Sequence, residues 1–448
     1  MWEPPAGGRL VQTTWGLRPC SATSLRTVRS STKVPREMRM NVRVFAAAAL
    51  VAALSVVAVG ASGASGSPAA NTLTVWLQVD AQSGWPEVVA AANAQFKAQN
   101  PGWDVDVQYQ TWTTHLSKFD ATLAGNSAPD VIEMGNTEMT KYMAAGAFQD
   151  ITANAFPNKS TWLTGLAKSG QYGGKIYGVP YYAGSRVITY RTDLFRAVNA
   201  KIPTSVAEFS ALARKLGAKN SAKTFSPVYI AGTDWYFAMS FVYDYGGTIA
   251  VTNKGKWIGT LDRPKAIAGL AAFKRFYDAA SRASKTTDEV RPNPYDVYAQ
   301  GNAASIQGPA WFSCCVGDYK ARTAQFVMPS RTKGQPIPGF LGGSDLAVPV
   351  GADKAQAASW ISAFTDNASM TALRAKGNIP NTTSLLGNSV NERAARRSWF
   401  VPTAKHWVNV ENGNVLRTML SRILTGKMTV KEAAAVASDN ITFTLNQR

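Results

Sequence analysis

Residues 72–79, TLTVWLQV, alternate apolar and polar positions as a half-buried strand does. The next apolar positions change period. PEVVAAANAQFKAQNPG, 86–102, spaces them for an amphipathic helix, with Pro at its start and Asn-Pro-Gly at its end. WDVDVQY, 103–109, alternates again, and APDVIEMG, 128–135, is a short buried strand that runs into a turn. This strand–helix–strand rhythm predicts a layered α/β domain.

Further strands are expected in KIYGVPYY and SRVITYR, separated by a Gly-Ser turn, in AASIQGP, and in DLAVPV at 345–350. Helices are expected in SVAEFSALARKLGA, with Ser205 and Glu208 as a capping box, and in RPKAIAGLAAFKRFYDAA, where Asp262 reads as an N-cap. Two more lie near 353–366 and 369–377. GNVLRTMLSRILTG and TVKEAAAVAS follow, the second opened by Thr429 and Glu432. No internal repeat appears. At 448 residues the chain is too long for one ordinary core and points to two domains.

The N-terminus stands apart. Arg39 and Arg43 precede the apolar run VFAAAALVAALSVVAVG, and small residues follow. That order is a secretory signal peptide; the run is too short and Ala-rich for a membrane anchor. Residues 38–70 are read as signal and linker. Residues 1–37 are read as a non-native extension, with Met38 or Met40 as the start. The expected product is secreted. No Cys follows the run at a spacing suited to lipid attachment, so its retention at the cell is unexplained.

The formal charge of +19 falls to +13 once residues 1–70 leave, and the basic residues are scattered. A nucleic-acid binder would show a basic stripe, so no nucleic-acid partner is expected. The two histidines, His115 and His406, form no zinc spacing. No serine-hydrolase elbow or phosphate-binding loop occurs. Neither a cofactor nor a metal is expected. A glycosidase stays open, because it needs only two carboxylates.

The 13 Trp and 15 Tyr are more informative. Trp76, Trp85, Tyr181, Tyr182, Trp235, Tyr236, Trp311 and Trp407 sit at strand ends or turns. For any single ring, core packing is the simpler account. A ring beside Gly or Pro at a strand end can instead face a cleft, where its flat face matches the C–H face of a sugar. Sugar hydroxyls then need polar partners, because an unpaired buried polar group costs about 1–3 kcal/mol. QVDAQ and GNTE supply such groups directly after strands.

Taken in order, NTLTVWLQVD, GNSAPDVIEMGNTEMTKYMAAGAFQDIT, GKIYGVPYYAGSRVITYRTDLF, GNAASIQGPAWF and GGSDLAVP resemble the extracellular solute-binding proteins of bacterial ABC importers. The nearest pattern is that of family 1, the sugar binders of the maltose-binding-protein type. The resemblance spans residues 72 to about 440. It implies a two-lobed periplasmic-binding-protein-like fold of type II, with the ligand cleft between lobes joined by hinge strands. Crossings are placed near 181–185, 330–342 and 385–395. Lobe one is then 71–182 plus 340–390, and lobe two 183–339 plus 391–448.

Carried over by position, the resemblance implies ligand contacts from Gln78, Asp80, Asn136, Thr137, Glu138, Tyr181, Tyr182, Gly343 and Asp345. It also implies Trp311 as a stacking ring and Trp235 as a second ring from lobe two. Arg186 is expected to pair on the surface. The implied protein is a monomer that binds a carbohydrate, hands it to a membrane permease and is not an enzyme. A secreted glycosidase, or the same fold with a polyamine or phosphodiester, are the alternatives. Ala310 separates the Gly-Pro turn from Trp311, a departure from the maltose-binding pattern that could shift the stacking. Cys314 and Cys315, directly after this turn, read as either a vicinal disulfide or two free thiols.

Overall fold

The strand read at 72–79 runs from Asn71 to Gln78 and lies inside a mixed six-stranded sheet. The computed structural model describes residues 71–447 except Val290, so the signal segment and the extension before it lie outside the described residues. The sheet order is Ile379–Pro380, Gly178–Gly184, Gly342–Ala347, Val131–Gly135, Asn71–Gln78, Trp103–Gln110. Asn71–Gln78 is parallel to both neighbours, whereas Gly342–Ala347 is antiparallel to both of its own.

The local chemistry explains these elements. Pro86 occupies the first turn of the helix Pro86–Gln99, where its missing N–H costs nothing. Val88, Val89, Ala92 and Phe96 form that helix's buried stripe, packed with Trp360 and Phe364 on one face of the sheet. The other face is covered by Phe119, Tyr142, Met143 and Phe148. Trp103–Gln110 alternates half-buried and exposed positions, as its sequence predicts for an edge strand.

A second, three-stranded sheet has Arg186–Arg191 at its centre, antiparallel to Ser305–Pro309 and Thr323–Phe326. Around it lies the largest apolar cluster, which includes Phe237, Phe273, Phe276, Trp399 and Trp407. The chain passes from the first sheet to the second at Ser185, between Gly184 and Arg186. The Ser185 amide donates to Asn391 Oδ1 (2.9 Å) and its hydroxyl to the Asn391 carbonyl (2.9 Å). The chain returns through Gly339–Phe340, which pairs with Ser398–Trp399, and enters the first sheet at Gly342.

Several expectations need correcting. Arg186 is not on the surface: its side chain is 8% exposed and lies 3.5 Å from Asp234. Ser205 caps its helix, but Glu208 reaches back to the Thr204 amide (2.7 Å) rather than closing a box with Ser205. Thr429 and Glu432 do form the full reciprocal box. Asp262 caps nothing; the helix Pro264–Ala280 starts after Arg263 with no side-chain cap. The strand expected at 345–350 runs three residues earlier, because Gly342 and Gly343 pair with Gly184 and Ala183.

Candidate functional site

Asn71–Gln78 and Val131–Gly135 are parallel neighbours and end at the same sheet edge. Ligands of open α/β sheets bind outside such carboxyl ends. Gln78 hands over to a short helix, Val79–Gly84; Gly135 turns through 136–138 into the helix Met139–Ala144. The Gln78 amide donates to Glu133 Oε2 (2.9 Å), and Trp112 Nε1 donates to Asp80 Oδ2 (2.5 Å). Both residues are nearly closed off, Gln78 at 1% and Asp80 at 7% exposure.

The electrostatics here are dominated by burial. Burial raises the Asp80 carboxyl above its ordinary range, with the Trp112 hydrogen bond pulling the other way. Burial pushes Glu133 up to about 7. Gln78 Oε1 is enclosed without a hydrogen-bond partner, so with the Asp80 and Glu138 carboxyls this edge offers several acceptors. Glu138 accepts from His115 Nε2 and from the Gly135 amide, each at 2.9 Å. Burial alone would lower the His115 pKa. The Glu138 carboxylate, with the Trp112 carbonyl and Glu133, outweighs it and holds the imidazole above its usual value.

The turn itself is tied to the chain's return crossing. The Asn136 amide donates to the Gly343 carbonyl (2.9 Å), and Asn136 Nδ2 to the Leu341 carbonyl (2.7 Å). Thr137 and Glu138 are half-buried at the same turn. Gly343 is a packing requirement: a Cβ there would stand 2.0 Å from the Tyr182 carbonyl oxygen.

On the second sheet, the strand Ser305–Pro309 delivers a 3₁₀ turn, Ala310–Cys314. Gly308 lets the Phe312 ring fold back over the backbone, since a Cβ would come 2.0 Å from that ring. Phe312 is buried and Trp311 half-buried, their rings edge-to-face at 4.8 Å. The half-buried Tyr295 ring lies 5.8 Å from Trp311. The Ala310 amide donates to the Ser185 carbonyl (3.0 Å), and Gln325 Nε2 donates to the Ala310 carbonyl (2.7 Å). Cys314 and Cys315 are joined as a disulfide at the end of the turn.

Beside it lies a buried charge network. Arg186 is 3.5 Å from both Asp234 Oδ2 and Gln307 Oε1, and its guanidinium lies 4.9 Å over the Tyr236 ring. Burial raises the Asp234 pKa, against the pull of Arg186. Asp234 also caps the helix Trp235–Asp244 through the Phe237 amide (3.1 Å).

The structure thus gathers Gln78, Asp80, Asn136, Thr137 and Glu138 at one sheet edge. It places Trp311 on a turn that hangs from Ser185 at the outbound crossing, whereas the Asn136 turn is bonded to the return crossing. Other expected residues are closed in by packing, although Tyr181 and Tyr182 lie near enough to Asp80 and Glu133 to feel their charge. Tyr181 is 0% exposed, and its hydroxyl accepts from Trp85 Nε1 in the first core. Tyr182 packs edge-to-face on Trp85 at 5.2 Å. Asp345 is wholly enclosed inside the sheet, opposite Met134. Trp235 stacks on Tyr236 at 3.9 Å, within the cluster that holds Trp399 and Trp407. Trp112, Glu133, Tyr295, Asp234 and Gln307 were not singled out from the sequence. Only Trp112 carried a signal, an indole in a polar loop after a strand. Among the described residues no cluster of three or more His, Cys, Asp or Glu could hold a metal, and no helix is long and apolar enough to cross a membrane.

The sequence model of the bacterial extracellular solute-binding protein family matches residues 91–396. The chain is 29% identical over 388 residues to the diacetylchitobiose binding protein DasA of Streptomyces coelicolor, covering 83% of this chain and 89% of that one. Its fold is similar to that of the cyclic alpha-maltosyl-1,6-maltose binding protein from Arthrobacter globiformis, with a TM-score of 0.72, 17% identity, and coverage of 84% and 99%. It is also similar to the maltose-binding periplasmic protein of Listeria monocytogenes in complex with maltose, with a TM-score of 0.70, 19% identity, and coverage of 84% and 99%. At these identities the two solved structures speak to the fold alone.

Proposed function

Because the chain belongs to the bacterial extracellular solute-binding protein family, we propose that it captures an oligosaccharide outside the cell and delivers it to the membrane permease of an ABC importer. One observation carries the carbohydrate reading. An acceptor-rich sheet edge (Gln78, Asp80, Glu138) has its Asn136 turn bonded to the return crossing at Leu341 and Gly343, and a half-buried ring pair (Trp311, Tyr295) has its turn bonded to the outbound crossing at Ser185. Hydroxyls suit the first and the C–H face of a pyranose suits the second. The DasA likeness supports a sugar and offers diacetylchitobiose as the first compound to try.

The mechanism follows from the two turns. Ligand meets one part of the protein first. Rotation about the Ser185 and Gly339–Gly342 segments then brings the other turn over it. The ligand drives closure only in so far as it binds the closed form better. Thr137 is within this edge, and Asn136 and Gly343 hold the turn rather than the ligand. The protein acts as a secreted monomer and releases no product from its sugar.

Isothermal titration with a panel of neutral oligosaccharides tests the reading. At least one is expected to bind at micromolar or tighter affinity and to be recovered unhydrolysed. Binding only of amino acids, peptides or metal chelates would remove the sugar assignment.

A further inference from the structure

The Cys314–Cys315 bridge is the feature that the function above leaves unused. It joins neighbouring residues, so it closes no loop of chain. A disulfide stabilises mainly by restricting the unfolded chain, and the effect grows with loop length. That contribution is absent here. The turn is also already anchored without it, by the Ala310–Ser185 and Gln325–Ala310 hydrogen bonds and by the Cys315 amide donating to the Phe312 carbonyl (3.1 Å). Phe312 packs inward with Ile306, Tyr298 and Val316. The fold therefore does not explain the bridge.

Its placement does. In a 3₁₀ turn, residues three apart eclipse one another, so Trp311 and Cys314 project on the same side of Ala310–Cys314. The turn sorts its side chains accordingly: Phe312 is buried, whereas Trp311 is half-buried and Cys314 exposed. One such turn rises about 6 Å, roughly the advance from one ring of a sugar chain to the next. Bridging also changes the surface chemistry. Two thiols carry weak S–H donors, whereas the disulfide has none and presents a soft, polarizable apolar face.

We propose that the Cys314–Cys315 disulfide is a ligand-contacting surface. It forms the floor of a second sugar subsite beside the Trp311–Tyr295 rings, so the protein selects chains of at least two pyranose units. This rests on the oligosaccharide reading given above. Trp311 holds one ring and the disulfide covers the apolar face of the next. Serine hydroxyls at these positions would ask for hydrogen bonds that a C–H face cannot make.

The test uses the mature protein and a panel of the maltose series from the disaccharide to the tetrasaccharide, N,N′-diacetylchitobiose and cellobiose. Cys314→Ser/Cys315→Ser is expected to bind the tightest of these about tenfold more weakly, near the low end of what one misfitted apolar group costs in a pocket. A second readout needs no variant. A water-soluble phosphine reduces the wild-type disulfide to two thiols, itself becoming the phosphine oxide with oxygen from water. Alkylation and intact mass follow the rate. Saturating oligosaccharide is expected to slow that reduction severalfold, whether or not the double variant folds. Wild-type affinity in the folded double variant, or reduction that is indifferent to ligand, would overturn the inference. If the wild type binds nothing in the panel, the oligosaccharide reading itself fails and this inference with it.

Discussion

The Ala310 amide donates to the carbonyl of Ser185 at 3.0 Å, so the turn that carries Trp311 hangs from the residue where the chain changes sheets. Any rotation about Ser185 moves that turn as a unit. The Asn136 turn on the other side is bonded to Leu341 and Gly343, in the return crossing. Ring platform and acceptor edge are thereby each bonded to one of the two crossings between the sheets.

Trp311→Ala should weaken oligosaccharide binding by about 1–3 kcal/mol, on the scale of aromatic stacking and large apolar contacts. Its ring is half-buried, so the melting temperature should change little. Calorimetric titration checks this. Unaltered affinity would remove Trp311 from the site.

The contributions of two buried acids, Glu133 and Asp345, to stability should fall as pH rises from acid to neutral. The Glu133 carboxyl stands at about 7 in the fold, against an ordinary value of 4.5, because burial disfavours its charge. Asp345 is likewise pushed to about 7 from 3.8 by burial, against the pull of the Ser169 hydroxyl. A raised acid contributes its full stability below the unfolded value and loses it as pH rises through the folded value. Between roughly pH 4 and 7 each group accounts for on the order of 3 kcal/mol. Asp345→Asn and Glu133→Gln should each flatten the slope. Urea unfolding at pH 5 and pH 8 measures it, and equal slopes in wild type and variants would contradict the assignment.

Gly343→Ala should destabilise the protein by about 1–3 kcal/mol, the usual range for overpacking, because its Cβ would meet the Tyr182 carbonyl at 2.0 Å. Gly342→Ala meets nothing within 4 Å and should be close to neutral. Thermal melts of the pair decide it; equal shifts would mean that the close strand approach at Tyr182 is not limiting.

Asp234→Ala removes the partner of a buried guanidinium and the cap of the Trp235–Asp244 helix. A loss of about 3–5 kcal/mol is expected, the scale for stranding one member of a buried ion pair. Arg186→Met/Asp234→Leu, which removes both charges, should recover much of it. Chemical denaturation of the single and double variants tests this, and an undiminished loss in the double variant would contradict it.

Local chemistry made much of the fold legible. The helix at Pro86, the cap pair Thr429–Glu432 and the alternation of 103–109 depend on neighbours in sequence, and all appear as read. The long-range pairings were less accessible. Even the local cap was only half legible, since Glu208 bonds the amide and hydroxyl of Thr204 instead of the Ser205 amide. Arg186 looked like a surface cation because its partners, Asp234 and Gln307, lie 48 and 121 residues away. At the site, strand-end residues such as Gln78 and Asp80 could be located by position alone. Tyr181 and Trp235 sit in similar sequence surroundings to Trp311, yet which side of a strand or helix faces the core depends on packing that no single stretch encodes. Glu133 occupies a strand position that normally holds an apolar residue, and its burial is visible only once Gln78 lies beside it.

A crystal structure with the tightest oligosaccharide from the titration panel tests the central claim most directly. The account predicts a pyranose ring stacked on Trp311, with hydroxyls donating to Gln78, Asp80 or Glu138 from across the cleft. A ligand bound away from both turns, or one that touches neither ring nor acceptor edge, would contradict it.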